Sequence, residues 1–429
     1  MPMKIFPQMA PFRSAPFRML FFGQASSFLG SWVHNVGQGW LVYQMTGSPF
    51  WLGLFACAGS LPLLLFSLPA GAMADRFARR RIVILAQIAA LLLASTLGLL
   101  AFLHLLSLPT LGLLVFALGL AGSFELPARQ ALFLDVAPEE EIRAAVAWNS
   151  VLFNGARLIG PAVAAFVIPS LGVAACFWTN ALSYLVSLGC LLRVSSPMRR
   201  PSERPLLHSL REGVRYIAAR KPLLGQASLI GLVTVFGWSY TVLLPFFAES
   251  ILHSGPKGLG ILISASGAGS LLGSLAATSL VRTLPLPRLV FGGLGLFLLS
   301  AACFSLSRSF LFSTALLGLA GLGLVVFLSA GNAFLQEHAV RELRGRVVGI
   351  ATFLFQGLFP IGSLFAALVS RFWGAPATIL LGTGLCAFGT VGIAVWSFRR
   401  CDGSRATGTP RQDRKKRLPT CQPDGNTKE

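Results

Sequence analysis

The chain alternates between long apolar runs and short polar gaps. A helix needs about 20 apolar residues to cross a bilayer. Runs of that length fall at 17–45, 50–74, 82–104, 109–128, 144–168, 171–193, 222–249, 257–281, 286–306, 310–336, 346–370 and 375–398. The pattern predicts an all-α membrane protein with twelve transmembrane helices. Links such as "TGSP" at 46–49, "SLP" at 107–109 and "WGAP" at 373–376 are so short that neighbouring spans must run antiparallel. The longest gap, 194–221, splits the spans into six and six. Four segments follow: an N-terminal six-helix bundle (1–193), a linker (194–221), a C-terminal six-helix bundle (222–398) and a basic tail (399–429). Within the linker, Leu207, Leu210, Val214 and Ile217 fall at helical spacing. An amphipathic helix on the membrane surface is expected from Leu206 onward.

Charge sets the orientation. Of 35 Lys and Arg residues, all but Lys257, Arg308, Arg371 and the intramembrane Arg157 lie in alternate gaps or at the termini. Bases collect on the cytoplasmic side, so both termini are expected there. The tail, rich in Arg, Lys, Pro, Gly and Thr, is expected to lack a fold. Its "RKKR" at 414–417 is either a solvated run or a contact for anionic lipid.

Composition agrees. Only 12% of residues are charged, mean hydropathy is +0.72, and a soluble domain carries about 25% charged residues. The net charge of +20 does not point to nucleic acid, because the bases sit in short gaps and form no patch on a soluble fold. The seven cysteines have no metal or redox spacing. The first run is too long for a signal peptide and lacks a small-residue cleavage site. No phosphate-binding loop or HExxH occurs. Neither a metal nor a cofactor is expected. The five histidines, in different segments, offer no catalytic cluster, so a membrane-embedded enzyme or a sensor is the weaker alternative class.

The halves echo each other. "EEEIRAAVAWNSVLFNGARLIGPAVAAFV" (139–167) opens span 5, and "VRELRGRVVGIATFLFQGLFPIGSLFAALV" (340–369) opens span 11, about 201 residues later. "WLGLFACAGS" (51–60) and "GLGILISASG" (258–267) match in spans 2 and 8. Duplicated six-helix units are a transporter plan, with the substrate path between the halves.

Polar residues inside apolar runs mark candidate chemistry. In span 1, Gln24, Ser27, Ser31, Asn35 and Gln38 recur at steps of three and four, with His34 beside them. Polar groups at membrane depth face protein or water. The stripe is therefore either a substrate-cavity wall or a set of interhelical hydrogen bonds. Gly23, Gly30 and Gly37 mark a second face, best read as close packing. Trp238 and Tyr240 in span 7 either stack on a flat ligand or pack. Asn332 and Gln356 are further cavity candidates in spans 10 and 11. Arg157 lies about 21 Å along its helix from Arg143, near mid-membrane. It has either a structural or gating role or a contact to an anionic substrate group. Glu125 is read either as the (i, i+4) partner of Arg129 or as a proton-loading carboxyl that could also face Arg157. Glu249 and Glu337 are weaker proton candidates.

The stretch "GAMADRFARRR" places Asp75 at the C-terminal, negative end of its own helix dipole, a poor position for an acid. Its residues Gly71, Asp75, Arg76, Arg79 and Arg80 resemble the G-x-x-x-D-R-x-x-R-R signature between the second and third helices of major facilitator superfamily transporters. Residues 127–166 are similar to the branch that holds the enterobactin exporter and macrolide efflux proteins. Gly155, Gly160 and Pro161, beside Arg157, resemble the helix-5 motif of antiporters, with Ala164-Ala165 where the pattern has Gly-Gly. Span 4 lacks the central Arg of many drug–proton antiporters. The resemblance implies the major facilitator fold in a bacterial inner membrane. It also implies a latch between Asp75 and the start of span 11 near Gly345, while Arg79 to Arg81 are read mainly as topology anchors.

The expected function is secondary transport by alternating access: proton-coupled export of a small amphipathic, siderophore- or drug-like compound by a monomer. A lysophospholipid flippase of the same superfamily is the alternative. The partners expected are a small-molecule substrate, membrane lipid and protons.

Overall fold

The computed structural model describes residues 11–194 and 206–398, except the side chains at 68, 75, 139, 143, 206–210, 397 and 398. The basic tail, part of the linker and the side chain of Asp75 lie outside the described residues. The described residues are almost all helical: α1 (Ala15–Thr46), α2 (Pro49–Arg76), α3 (Arg79–Phe102), α4 (Leu108–Val136), α5 (Ile142–Leu171), α6 (Ala174–Leu192) and α7 (Leu206–Ala218), then α8 (Lys221–Leu232), α9 (Tyr240–Phe246), α10 (Gly255–Leu280), α11 (Leu286–Leu306), α12 (Phe310–His338), α13 (Arg344–Gly357) and α14 (Phe359–Phe398).

Ten helical stretches among the described residues are long and apolar enough to cross a membrane. α1 has the length, but its glutamines, serines, His34 and Asn35 lower its hydropathy. Arg341–Trp396 is one stretch that contains two of the expected spans. They part inside α14 at Gly374, whose φ of 77° and ψ of 170° break the helix. Span 7 is also irregular. π-helical turns at Val233–Gly237 and Phe247–Ile251 flank α9, and such turns often mark functional positions.

The positive-φ glycines Gly47, Gly172, Gly255 and Gly374 all lie in links at one end of the molecule, here the Gly47 end. Short links there need a left-handed residue, and glycine adopts it without strain. Exposed Leu85, Leu92, Leu113, Phe166, Leu311 and Phe388 belong to an apolar outer surface suited to lipid.

Small residues set the packing. A Cβ on Gly30 would collide with Ser183, and one on Gly37 would lie 2.7 Å from Cys176 Cβ. The glycine stripe of α1 therefore packs on α6. Gly269 and Gly273 similarly bring α10 against Gly318 and Leu322 of α12.

The halves meet through a repeated contact. Gly53 of α2 lies against the Ser363 carbonyl and Ala367 of α14. Gly260 of α10 lies against the Pro161 carbonyl and Ala165 of α5. Glycine and partners match in both halves, so the sequence echo has a physical counterpart. At the same end the hydroxyls of Tyr43 and Ser250 are 2.6 Å apart.

The linker is helical from Leu206 to Ala218. α7 docks on protein: Arg346 donates to Glu212 at 2.5 Å, and the Val340 N–H donates to the Tyr216 hydroxyl at 3.0 Å. Ile217 is buried while Val214 is exposed. Gly213 allows Ile350 of α13 to approach, so the buried edge of α7 runs through Gly213 and Ile217. Leu207 and Leu210 lie among the side chains outside the described set.

Candidate functional site

A cavity of about 500 Å³ lies between the halves. α1 contributes Ser31, His34, Asn35 and Gln38, α6 contributes Asn180 and Tyr184, and α5 contributes Arg157. The opposite wall carries Trp238, Thr241, Ser266 and Phe359. The volume falls in the range of small-molecule sites. Arg157 is the one charged residue among those lining it.

Arg157 is only 7% exposed. Its guanidinium donates to Ser266 Oγ at 3.2 Å, across the boundary between the halves. Its position depends on close helix approach: a Cβ on Gly267 would sit 2.7 Å from the Arg157 carbonyl oxygen. Ser264 Oγ donates to the Leu158 carbonyl at 2.9 Å. Among the described ion pairs, none involves Arg157.

The polar stripe of α1 divides. Ser31, His34, Asn35 and Gln38 line the cavity. Gln24 does not; its side chain donates to Asn149 Oδ1 at 2.7 Å, an interhelical bond to α5. Ser27 is buried away from the cavity. The stripe is longer than the cavity is deep, so α5 covers its first part.

Trp238 lines the cavity and stacks on Phe355, with centroids 4.4 Å apart and planes at 17°. One ring face is thereby occupied by protein. Tyr240 is not on the wall. It is fully buried beside Phe297 and neighbours Arg157 and Ser266 from behind. Asn332 and Gln356 are half-buried and do not line the cavity.

Glu125 does not pair with Arg157. Its carboxylate accepts from Gln87 at 3.0 Å and from Arg129 at 3.1 Å, and the Arg129 guanidinium lies 4.5 Å over Phe28. The cluster sits behind Tyr184, an electrostatic neighbour of both charges. Glu249 and Glu337 are exposed and off the cavity.

The glycine motif of α5 also splits. Gly160 receives Trp32 of α1, while Gly155 has open space beside it. The surface that α5 offers α10 runs from the Arg157 carbonyl and Leu158 to the Pro161 carbonyl and Ala165. Ala165 replaces a glycine of the antiporter pattern, and Gly260 on the facing helix restores the room.

At the other end, the Arg76 end, Arg79 donates to Asp135 at 2.7 Å. Arg80 donates to the carbonyls of Leu191 and Leu192 at 3.1 and 2.8 Å, capping α6. These arginines hold α3 to α4 and α6, which sequence reasoning did not foresee. Gly71 and Arg76 lie in the last turns of α2, which runs beside α13.

Sequence reasoning also missed Asn180, Tyr184 and Ser266. The signal for the first two was a polar stripe in α6: Asn180, Ser183, Tyr184 and Ser187 at helical spacing.

Paired helical halves that wall one cavity between them are a transporter plan. The chain matches the transmembrane secretion effector family over residues 7–414 and belongs to it, within the major facilitator superfamily. Members of this family are transporters of small molecules and not enzymes. The chain is 24% identical over 370 residues to the staphyloferrin A transporter of Staphylococcus aureus (82% of this chain, 88% of that one). It is 28% identical over 416 residues to the multidrug efflux pump Tap of Mycobacterium tuberculosis (90% and 95%). It is 23% identical over 403 residues to macrolide efflux protein A of Streptococcus pyogenes (90% and 97%). In fold it is similar to an inward-facing bacterial homologue of the human lysosomal transporter Spinster, with TM-score 0.70, 15% identity and coverage of 93% and 99%.

Proposed function

We propose that the protein is a twelve-helix secondary exporter of a small amphipathic compound, siderophore- or drug-like, driven by protons. It works by alternating access in a bacterial inner membrane, as a monomer with both termini cytoplasmic. The observation that carries this reading is the cavity walled by both halves, with the glycine contacts of Gly53 and Gly260 closing the Gly47 end. Placing the Arg-rich gaps in the cytoplasm makes that closed end periplasmic, so this is the state that loads from the cytoplasm.

Glu125 is the coupling group in this scheme. It is a buried carboxylate held by Gln87 and Arg129, one layer behind cavity residue Tyr184. Protonating it removes the charge that holds Arg129 and changes the field at the cavity wall. Asp75 belongs to the same scheme as a latch between α2 and α13, with the adjacency of those helices as support.

The test uses inverted membrane vesicles and a pH-sensitive dye. Adding a siderophore or macrolide substrate should move protons in the wild type, and Glu125→Gln should suppress the movement. Full coupling in that variant would remove Glu125 from the scheme. Accumulation without any proton movement would remove proton exchange.

A further inference from the structure

Arg157 is a buried cation with no described carboxylate beside it. Its guanidinium carries five N–H donors, and the described side-chain contact uses one of them, to the neutral Ser266. No aspartate or glutamate is among the residues lining the cavity. The nearest described buried carboxylate, Glu125, is already held by Arg129 and Gln87. A charge at membrane depth is costly unless something compensates it.

Other polar atoms around the cavity also lack partners. His34 is 4% exposed, lines the cavity, and its Nδ1 makes no hydrogen bond. Trp238 Nε1, on the opposite wall, makes none, and the Tyr240 hydroxyl behind Arg157 has only the neutral Ser266 as a neighbouring side-chain partner. Buried polar groups are normally satisfied. A cluster of unsatisfied ones beside an uncompensated guanidinium has the character of a site awaiting an acceptor.

The internal duplication sharpens this. In the register that matches Gly53 with Gly260, and Ser363 and Ala367 with Pro161 and Ala165, Phe359 stands where Arg157 stands in the other half. Both residues line the cavity. The cation is therefore not part of the repeated packing plan, whereas the glycine contacts are.

We propose that Arg157 is the anchor of an anion subsite and that the transported compound carries a carboxylate which docks on it. The carboxylate accepts from the guanidinium in the two-point geometry that arginine offers, and the apolar body lies toward Phe55, Val115 and Leu118 on the cavity wall. Because Arg157 and Ser266 belong to different halves, the docked anion also bridges them. The inference rests on the cavity being the transport site, and it makes the preferred substrate an anion where cationic drugs would need an acidic wall.

The test is binding to the full-length protein in lipid nanodiscs with no gradient, using dansyl-phenylalanine and its uncharged amide as a matched pair. The wild type should bind the carboxylate about tenfold more tightly than the amide, the scale of one charge-assisted hydrogen bond. Arg157→Gln should erase that preference. Ser266→Asp supplies an internal counter-ion and should erase it too, in a variant whose fold is not asked to bury a lone charge. Equal binding of acid and amide by the wild type would overturn the subsite. So would a preference that survives both substitutions, or no binding of the acid. Binding of lysophosphatidylglycerol, read by tryptophan fluorescence, with no binding of dansyl-phenylalanine would reassign the anion to a lipid phosphate and overturn the carboxylate. Failure of proton-coupled export leaves these outcomes untouched. Export of neutral compounds that ignores Arg157 would keep the exporter and remove the subsite.

Discussion

Replacing Gly260 by leucine puts a side chain where α5 and α10 touch. Even a Cβ there would fall inside the contact distance of Ala165 and of the Pro161 carbonyl. The carbonyl belongs to helix backbone and cannot rotate away as a side-chain tip could. The helices must separate at the Gly47 end, and overpacking of this kind costs about 1–3 kcal/mol. That cost falls on the state in which these helices touch, so the population of the closed state should drop by about 5- to 150-fold relative to the open one. Spin labels at Ser170 and Lys257, both exposed at that end, would report the separation by pulsed resonance. The Gly260→Leu distribution should move to longer distances. Gly295→Leu is the control, because nothing lies within 4 Å of a Cβ there, and it should match the wild type. A Gly260→Leu distribution that coincides with the control would refute the argument that this contact closes the cavity.

Two further outcomes follow from the packing. Gly30→Leu drives a side chain into Ser183 and should separate α1 from α6; overpacking predicts a loss of about 1–3 kcal/mol, read as a lower melting temperature in detergent. Arg79→Gln removes the bond to Asp135, whose side chain is 5% exposed. Loss of that hydrogen bond between charged groups should cost about 1.5–3 kcal/mol, and unchanged thermal unfolding would show that the arginine serves topology alone.

Much of the architecture was legible because the bilayer imposes a simple rule on sequence. Apolar length reports spans, and the glycine stripe at 23, 30 and 37 marked a close-packing face of α1, which α6 fills, since small residues at helical spacing have few uses other than close approach. The break in the rule is equally physical. Span 1 lines the cavity, so its polar residues lower the hydropathy by which spans are found. The polar stripe told which face of α1 is not lipid. It could not tell where along that face the cavity stops and α5 begins, because Gln24 bonded to Asn149 and Gln38 facing the cavity are chemically alike. Tyr240 was left open between stacking on a ligand and packing, because an aromatic in an apolar run serves either use, and burial beside Phe297 gives it the packing role. Arg80 illustrates a third limit. A base near the membrane surface satisfies the charge rule wherever it points, so the sequence could not show that its donors cap α6.

The comparison between halves separates scaffold from chemistry. Whatever both halves need in order to rock against each other is present twice: Gly53 on Ser363 and Ala367, Gly260 on Pro161 and Ala165, and left-handed glycines in the matching links. Whatever handles a charge is present once. Arg157 faces Phe359 in the matching position, and the Glu125, Gln87 and Arg129 cluster lies wholly in the first half. A symmetric scaffold exchanges two states of similar energy, since the helix packing that opens on one side resembles the packing that closes on the other. In the proposed scheme an asymmetric set of charges would bias the exchange, because a proton or an anion would change the energy of one half alone. On that proposal the N-terminal half carries the chemistry of the cycle and the C-terminal half supplies its counter-surface. Substitutions at Arg157 or Glu125 should therefore change what drives the exchange, while those at Gly53 or Gly260 change which state the protein rests in.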